Sequence, residues 1–215
     1  DGWPCDSARH ADDAADLLRA LGLAGAAEGA GTPGRRADIF GASAGGIVAV
    51  QLALRHPELV RRVLVFEPGY LRLSESGRAL ASGFAQSLDQ HLFSHPDDWA
   101  GAMAAGFTGL LDVPEGLGWY AERGNALAEN FIRGDIPLTA ETVNADALAG
   151  SRVDIRFACG SDSPSAFRDI ADELTRLRRR PGSADPERPD VVDGAGHLVY
   201  FTPEPVASYI RRRLT

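Results

Sequence analysis

A short apolar segment that runs directly into a glycine-rich turn constrains the fold of this chain most strongly. Residues 37–40 read Ala-Asp-Ile-Phe, residues 41–46 read Gly-Ala-Ser-Ala-Gly-Gly, and apolar residues suited to a helix follow from Ile47 to Leu54. This order predicts a buried strand, a sharp turn and a helix, in that order. The His-Pro pair at 56–57 predicts the end of the helix, because the residue before a proline is disfavoured in helical conformation.

The serine in the middle of this turn, Ser43, is a candidate nucleophile. A sharp turn between a strand and a helix holds its central residue in a strained conformation with the side chain exposed. Gly41 and Gly45, two residues on either side, are expected to be small so that strand and helix can pack closely. A phosphate-binding turn is the alternative interpretation, but the segment lacks the lysine of a P-loop and the spacing of a dinucleotide fingerprint.

Apolar strands and amphipathic helices alternate along the rest of the chain. Further strands are predicted at residues 63–66, 153–159 and 190–192, and further helices at residues 10–21, 167–180 and 204–214. The first helix carries its apolar residues on one face, namely Ala14, Leu17, Leu18 and Leu21. We therefore expect an α/β fold with a parallel sheet and flanking helices.

A histidine and an acid are predicted to complete a catalytic set with Ser43. His197 follows the last strand through a Gly-Ala-Gly turn, at the carboxyl edge of the sheet, where ligands bind. Asp162, two residues after the third strand and directly before Ser163-Pro164, is the preferred acid, and it gives the chain order serine, acid, histidine. Glu67, at the end of the second strand, is the alternative. The carboxylate would hold the histidine tautomer and stabilise its cation.

Composition narrows the classes of partner. The chain has 215 residues, enough for one domain with its own core, and a net charge of −8 that argues against a general nucleic-acid or anionic-membrane surface. No apolar run reaches the roughly 20 residues that cross a bilayer. Two cysteines, Cys5 and Cys159, are expected to be free thiols in a cytoplasmic setting. No metal-ligand spacing is visible, and we expect no cofactor.

Five segments carry a family resemblance: Gly41–Gly46, His56–Val60, Phe66–Pro68, Gly160–Pro164 and Gly194–Leu198. They resemble the α/β-hydrolase superfamily, and most closely its small bacterial serine hydrolases of actinomycete type. The resemblance runs from about residue 10 to the end and is weakest over residues 71–150. It implies an α/β-hydrolase core over residues 1–70 and 151–215, with a helical cap insertion over residues 71–150.

The resemblance also implies an activity. A serine hydrolase of this kind would cleave an ester, thioester or lactone of a small hydrophobic molecule through an acyl-enzyme on Ser43, without a metal. The Ala44 N–H would bind the oxyanion, and the second donor is not identified. Non-hydrolytic chemistry on the same fold (carbon–carbon cleavage, cyclisation or elimination) and a non-catalytic receptor for a small ligand remain alternatives.

The sequence departs from the family pattern at its beginning. The family core normally starts with strands that precede the serine strand, whereas four strands are visible here. We therefore expect that the N-terminal part of the fold is missing from this chain. An unpaired strand at residues 37–40 would be an aggregation hazard. We expect it to associate with the missing segment or a partner chain, with a homo-oligomer as a further option.

Overall fold

A four-stranded parallel sheet forms the centre of the computed structural model, which describes residues 6–23, 35–111, 124–179, 188–201 and 203–214. The strands β1 (Ala37–Ser43), β2 (Val60–Pro68), β3 (Asp154–Gly160) and β4 (Asp190–Val192) lie side by side in chain order. Val63 and Val65 are fully buried on one face of β2, and Leu64 and Phe66 are fully buried on the other. A strand covered on both faces accounts for the continuous apolar run in the sequence.

Helices cover both faces of this sheet, which confirms the predicted α/β class. The helices that the structure describes are α1 (Ser7–Ala20), α2 (Ala44–Arg55), α3 (Glu75–Ser94), α4 (Trp99–Leu111), α5 (Asn125–Asn130), α6 (Ile136–Leu138), α7 (Ala145–Gly150), α8 (Ser165–Arg178) and α9 (Pro203–Leu214). A 3₁₀ turn lies at Leu71–Leu73 and a π-helical turn at Phe131–Asp135. Helices α1, α2 and α8 contribute to the core on the Val63 face, and α9 covers the Leu64 face.

The first helix forms as predicted, but its large apolar residues do not all enter the core. Ala11 and Ala15 are fully buried, whereas Leu17 and Leu21 are 60% and 67% exposed. Two alanines on the packed face let α1 approach α2 closely. The apolar face inferred from sequence spacing is therefore only partly covered by the described residues.

Strand β1 lies at one edge of the sheet, and among the described residues its ladder partner is β2. A groove between α1 and the start of α2 runs beside it, lined in part by Leu17, Ile39, Phe40 and Val48. Association of this edge with a further segment, a partner chain or a second copy stays a prediction.

All regular elements that the structure describes between β2 and β3 are helical, from the 3₁₀ turn at Leu71–Leu73 to α7. Its division from the core as a cap stays a prediction. Trp119 and Tyr120 of this segment lie outside the described residues, as does Cys5. Cys159 on β3 is a buried free thiol, and burial raises its pKa.

An ionic cluster joins α1 to the end of α2. The Asp12 carboxylate accepts hydrogen bonds from Arg55 Nε (2.9 Å) and Nη2 (2.7 Å) and pairs with His56 Nε2 at 2.7 Å. These partners, the guanidinium first, lower the pKa of Asp12 from its ordinary value of 3.8 to about 2. The ionised carboxylate is therefore favoured in the folded chain, and its contribution to stability depends on pH.

We expect Asp12→Asn to lower the free energy of unfolding at neutral pH. A carboxyl group whose pKa is depressed on folding stabilises the protein above its unfolded pKa, and that stabilisation disappears as pH falls through the folded pKa. The deficit of the variant should thus be constant above about pH 5 and shrink as the pH falls toward 2. Urea denaturation between pH 2 and pH 7 measures it. Asp13→Asn, at a side chain 57% exposed that pairs with Arg9, is the matched control. A deficit that did not vary with pH would contradict the assignment.

Candidate active site

Ser43 lies at the sharp turn where β1 ends and α2 begins, as predicted. Its backbone angles, φ 53° and ψ −126°, fall outside the regions that residues other than glycine favour. Such strain costs about 1–3 kcal/mol and is found mainly at functional sites. The turn is so tight that a Cβ atom on Gly41 would lie 2.4 Å from the carbonyl oxygen of Gly45. Gly41 is therefore required for the turn.

The second small residue that the turn requires is Gly46, and the prediction for Gly45 is wrong. Gly45 is exposed, and a Cβ atom there would meet nothing within 4 Å. A Cβ atom on Gly46 would lie 2.9 Å from Cγ1 of Val65. The first turn of α2 thus presents residue 46, not residue 45, to the neighbouring strand.

Glu67, the alternative acid of the sequence, contacts His197. Its Oε2 lies 2.7 Å from Nδ1 of His197, and its Oε1 accepts a hydrogen bond of 2.6 Å from the Gly160 N–H. The carboxylate has no exposed surface, and the His197 side chain is 7% exposed. With Nδ1 donating to the carboxylate, Nε2 is left as the basic nitrogen of the ring.

A β-bulge directs the Glu67 side chain toward the histidine. Along the ladder, Ala42 pairs with Phe66 and Ser43 pairs with Pro68, so Glu67 is the extra residue on β2. Its φ is 47°, in the left-handed region. Bulges redirect side chains and occur often beside active sites.

The pairing of Asp162 with His197, which the sequence favoured, is corrected by the structure. The Asp162 side chain is exposed, and its Oδ1 accepts a hydrogen bond of 2.7 Å from the Ser161 hydroxyl. Its backbone N–H donates to the carbonyl oxygen of Ala195 at 3.1 Å. The turn after β3 thus contacts residues 194–197, the histidine loop, through its backbone. The Asp162 carboxylate remains in solvent.

The histidine loop packs directly on the end of β3. A Cβ atom on Gly160 would lie 2.0 Å from the carbonyl oxygen of Ala195. The hydroxyl of Ser161 accepts a hydrogen bond of 2.8 Å from the Gly194 N–H, and the Ser161 N–H donates to Val192. This close approach allows His197, which follows β4, to reach a carboxylate on β2 across the intervening strand.

An aromatic ring stacks on one face of the His197 imidazole. Phe167, in the first turn of α8, stacks on His197 with ring centroids 4.0 Å apart and an angle of 12° between the planes. Phe167 is 3% exposed, so its own position is fixed by packing. The imidazole is thus restrained by a carboxylate at its edge and by a ring on its face.

Ser43 and His197 line the same cavity, which has a volume of about 270 Å³. Its walls include residues from α3, α4, the π-helical turn and α8, among them Leu80, Phe84, Leu88, Phe107, Phe131 and Phe167. None of the described lining residues is an aspartate, glutamate, lysine or arginine. Residues 43 and 197 thus face a common space, and their catalytic roles stay a prediction.

Two properties of the described residues bear on other chemistry. Within them, no set of three or more histidine, cysteine or acidic side chains is placed to hold a metal ion. None of their helices combines the length and the hydropathy that a membrane-spanning helix requires.

The chain belongs to the alpha/beta hydrolase family, whose sequence model matches residues 2–209. Solved structures with this fold include an alpha/beta hydrolase from Sphaerobacter thermophilus, at 20% identity and a TM-score of 0.64, where the match covers 100% of this chain and 77% of the other. A carboxylesterase from the thaumarchaeon Nitrososphaera gargenis matches at 16% identity and TM-score 0.64, over 97% of this chain and 71% of its own.

A protein described as a non-haem bromoperoxidase from Mycobacterium tuberculosis is similar to the same degree. Its identity is 16% and its TM-score 0.65, and the match covers 98% of this chain and 74% of the other. At these identities the similarity shows a shared fold. It leaves the reaction of this chain to be argued from its own residues.

We expect Gly160→Ala to destabilise the protein and to separate His197 from Glu67. The added methyl group would overlap the backbone of Ala195, so the end of β3 or the histidine loop must move. Overpacking of this kind costs about 1–3 kcal/mol in free energy of unfolding, which urea denaturation measures. Gly196→Ala in the same loop is the matched control, because a Cβ atom there meets nothing within 4 Å. Equal stability of the two variants would contradict the close contact.

Proposed function

We propose that this chain is a serine hydrolase that cleaves an ester, thioester or lactone of a small hydrophobic molecule. Ser43 is the nucleophile, His197 the general base and Glu67 the acid that holds the histidine. The observation that supports this assignment best is the buried pair of Glu67 and His197 at 2.7 Å, in a cavity that also exposes a serine on a strained turn.

The proposed reaction has two halves. Nε2 of His197 accepts the proton of the Ser43 hydroxyl as its oxygen attacks the carbonyl carbon, and the tetrahedral intermediate then expels the leaving group, which takes that proton. An acyl group remains on Ser43. Water then attacks it, with His197 again accepting and returning a proton, and the carboxylic acid is released.

Backbone N–H groups at the start of α2 would stabilise the negative charge that develops on the substrate's carbonyl oxygen. Ala44 is the first residue of α2, directly after the nucleophile, and N–H groups in a first helical turn lack partners within the helix. They also lie at the positive end of the helix dipole. We assign the Ala44 N–H as one oxyanion donor. Donors of this type contribute about 100- to 1000-fold to turnover.

The burial of Glu67 explains why it suits the acid role better than Asp162. An ion pair in a site that excludes water interacts more strongly than one at the surface, where solvent screens it. The Gly160 N–H fixes the second oxygen of Glu67, so the carboxylate cannot rotate away from the imidazole. Asp162 offers neither contact.

We expect Glu67→Gln to lower kcat by roughly 1,000- to 10,000-fold, because an amide neither fixes the required tautomer nor stabilises the imidazolium. Asp162→Asn, an equivalent change at the carboxylate exposed to solvent, should change kcat by less than about threefold. Hydrolysis of short p-nitrophenyl esters by the intact protein measures both, and thermal unfolding reports on folding. A larger loss in Asp162→Asn than in Glu67→Gln would overturn the assignment of the acid.

We expect a fluorophosphonate probe to modify Ser43 covalently, with loss of fluoride, because its hydroxyl is activated by His197. Ser43→Ala should abolish labelling and lower kcat by about a million-fold, as removal of a nucleophile does in serine proteases. Mass spectrometry of the labelled peptide locates the adduct. The control is Ser165→Ala, at an exposed serine. A folded protein that resists the probe would instead indicate a receptor without an activated serine.

A further inference from the structure

We propose that Phe84, backed by Gly106, limits the size of the acyl group that the cavity beside Ser43 accepts. The substrate then carries a neutral hydrocarbon acyl chain of up to roughly ten carbon atoms. This inference rests on the proposed function of Ser43. It adds the class of acyl group and a residue pair that selects it.

The chemistry of the walls selects a neutral hydrocarbon. Apart from Ser43 and His197, the polar side chains among the described lining residues are Thr139 and Tyr200. The Thr139 hydroxyl already donates to the carbonyl oxygen of Ile136 at 2.7 Å, and Tyr200 is 45% exposed. No aspartate, glutamate, lysine or arginine is among the described lining residues, so a charged acyl group would lose hydration without an ion-pair partner of those types, which is costly. A hydrocarbon chain gains from the same burial.

The volume sets the size. An apolar cavity of about 150 Å³ holds one benzene molecule, which has six carbon atoms. The cavity beside Ser43 has about 270 Å³, or nearly twice that volume. Scaling by volume gives a hydrocarbon of roughly ten carbon atoms at most.

Three aromatic rings make part of the wall stiff. Phe84 of α3 meets Phe107 of α4 edge to face, with centroids 5.3 Å apart and an interplanar angle of 73°. Phe107 in turn contacts Phe131, with centroids 5.8 Å apart. All three rings line the cavity. Edge-to-face pairs have a preferred geometry, so Phe84 cannot turn aside at little cost to admit a longer chain.

Because Gly106 has no side chain, the Phe84 ring can lie directly against its backbone. A Cβ atom on Gly106 would lie 2.8 Å from Cε2 and 3.0 Å from Cζ of the Phe84 ring. Gly106 is buried on α4 and does not line the cavity, whereas Phe84 does. Phe107 packs on the Phe84 ring, and Phe84 lines the cavity, so we expect a displaced Phe84 ring to move toward the cavity. A methyl group at position 106 should therefore reduce the cavity through Phe84.

The test compares acyl chain-length profiles. We expect kcat/KM of the intact protein for p-nitrophenyl esters to rise about fourfold per methylene until the cavity is full and then to fall. Gly106→Ala should move the maximum to shorter chains, and Phe84→Ala should move it to longer ones. Phe93→Ala, the same change at a residue of α3 that is 91% exposed, and Gly150→Ala, where a Cβ atom has open space, should leave the profile unchanged.

A second measurement covers variants that fold poorly. Thermal unfolding identifies them, and Phe84→Trp then replaces Gly106→Ala, because the larger ring should also shorten the preferred chain. Labelling rates with alkyl fluorophosphonates of increasing length give the same profile without turnover. Profiles that do not differ between these variants and wild type, or a length dependence confined to the alcohol part of the ester, would overturn the inference while Ser43 labelling continues. Absence of both labelling and hydrolysis would instead refute the proposed function.

Discussion

The buried hydrogen bond between Glu67 and His197 depends on several independent features of the fold. A carboxylate without solvent contact is costly unless each oxygen has a partner, and here one oxygen faces the imidazole and the other faces the Gly160 N–H. The first contact requires a bulge with a positive φ on β2. The second requires the parallel pairing of β2 with β3. Sheet register and site geometry are therefore coupled.

The packing that fixes the imidazole also shapes the cavity. Phe167 stacks on His197 and at the same time forms part of the wall beside Ser43. The helical segment between β2 and β3 supplies further aromatic rings to the wall, and Phe84, Phe107 and Phe131 among them contact each other. One set of apolar contacts thus orients the imidazole and lines the space beside Ser43 with apolar side chains. Low local polarity strengthens the hydrogen bond between Glu67 and His197.

Local patterns in the sequence predicted the elements well, and long-range contacts account for what they missed. Ser43 could be found because a strand, a tight turn and a helix are consecutive, and His197 because it follows a strand end. The sequence favoured Asp162 over Glu67 as the partner of His197, because the left-handed φ of Glu67 and the contact of Gly160 with Ala195 have no local signature. The same holds for the cavity: which rings converge on it is decided by the packing of α3 against α4.

The backbone conformation of Ser43 has a consequence for how this chain can change. Glycine would adopt these angles without steric strain, so the position disfavours the residue that the proposed reaction needs. Gly41 and Gly46 leave the room that the tight turn needs, because a Cβ atom at either position would meet a neighbouring atom at less than 3 Å. Replacement of Ser43 by glycine would therefore relieve the backbone strain and at the same time remove the hydroxyl group. A gain in stability and a loss of the proposed activity would come from one substitution.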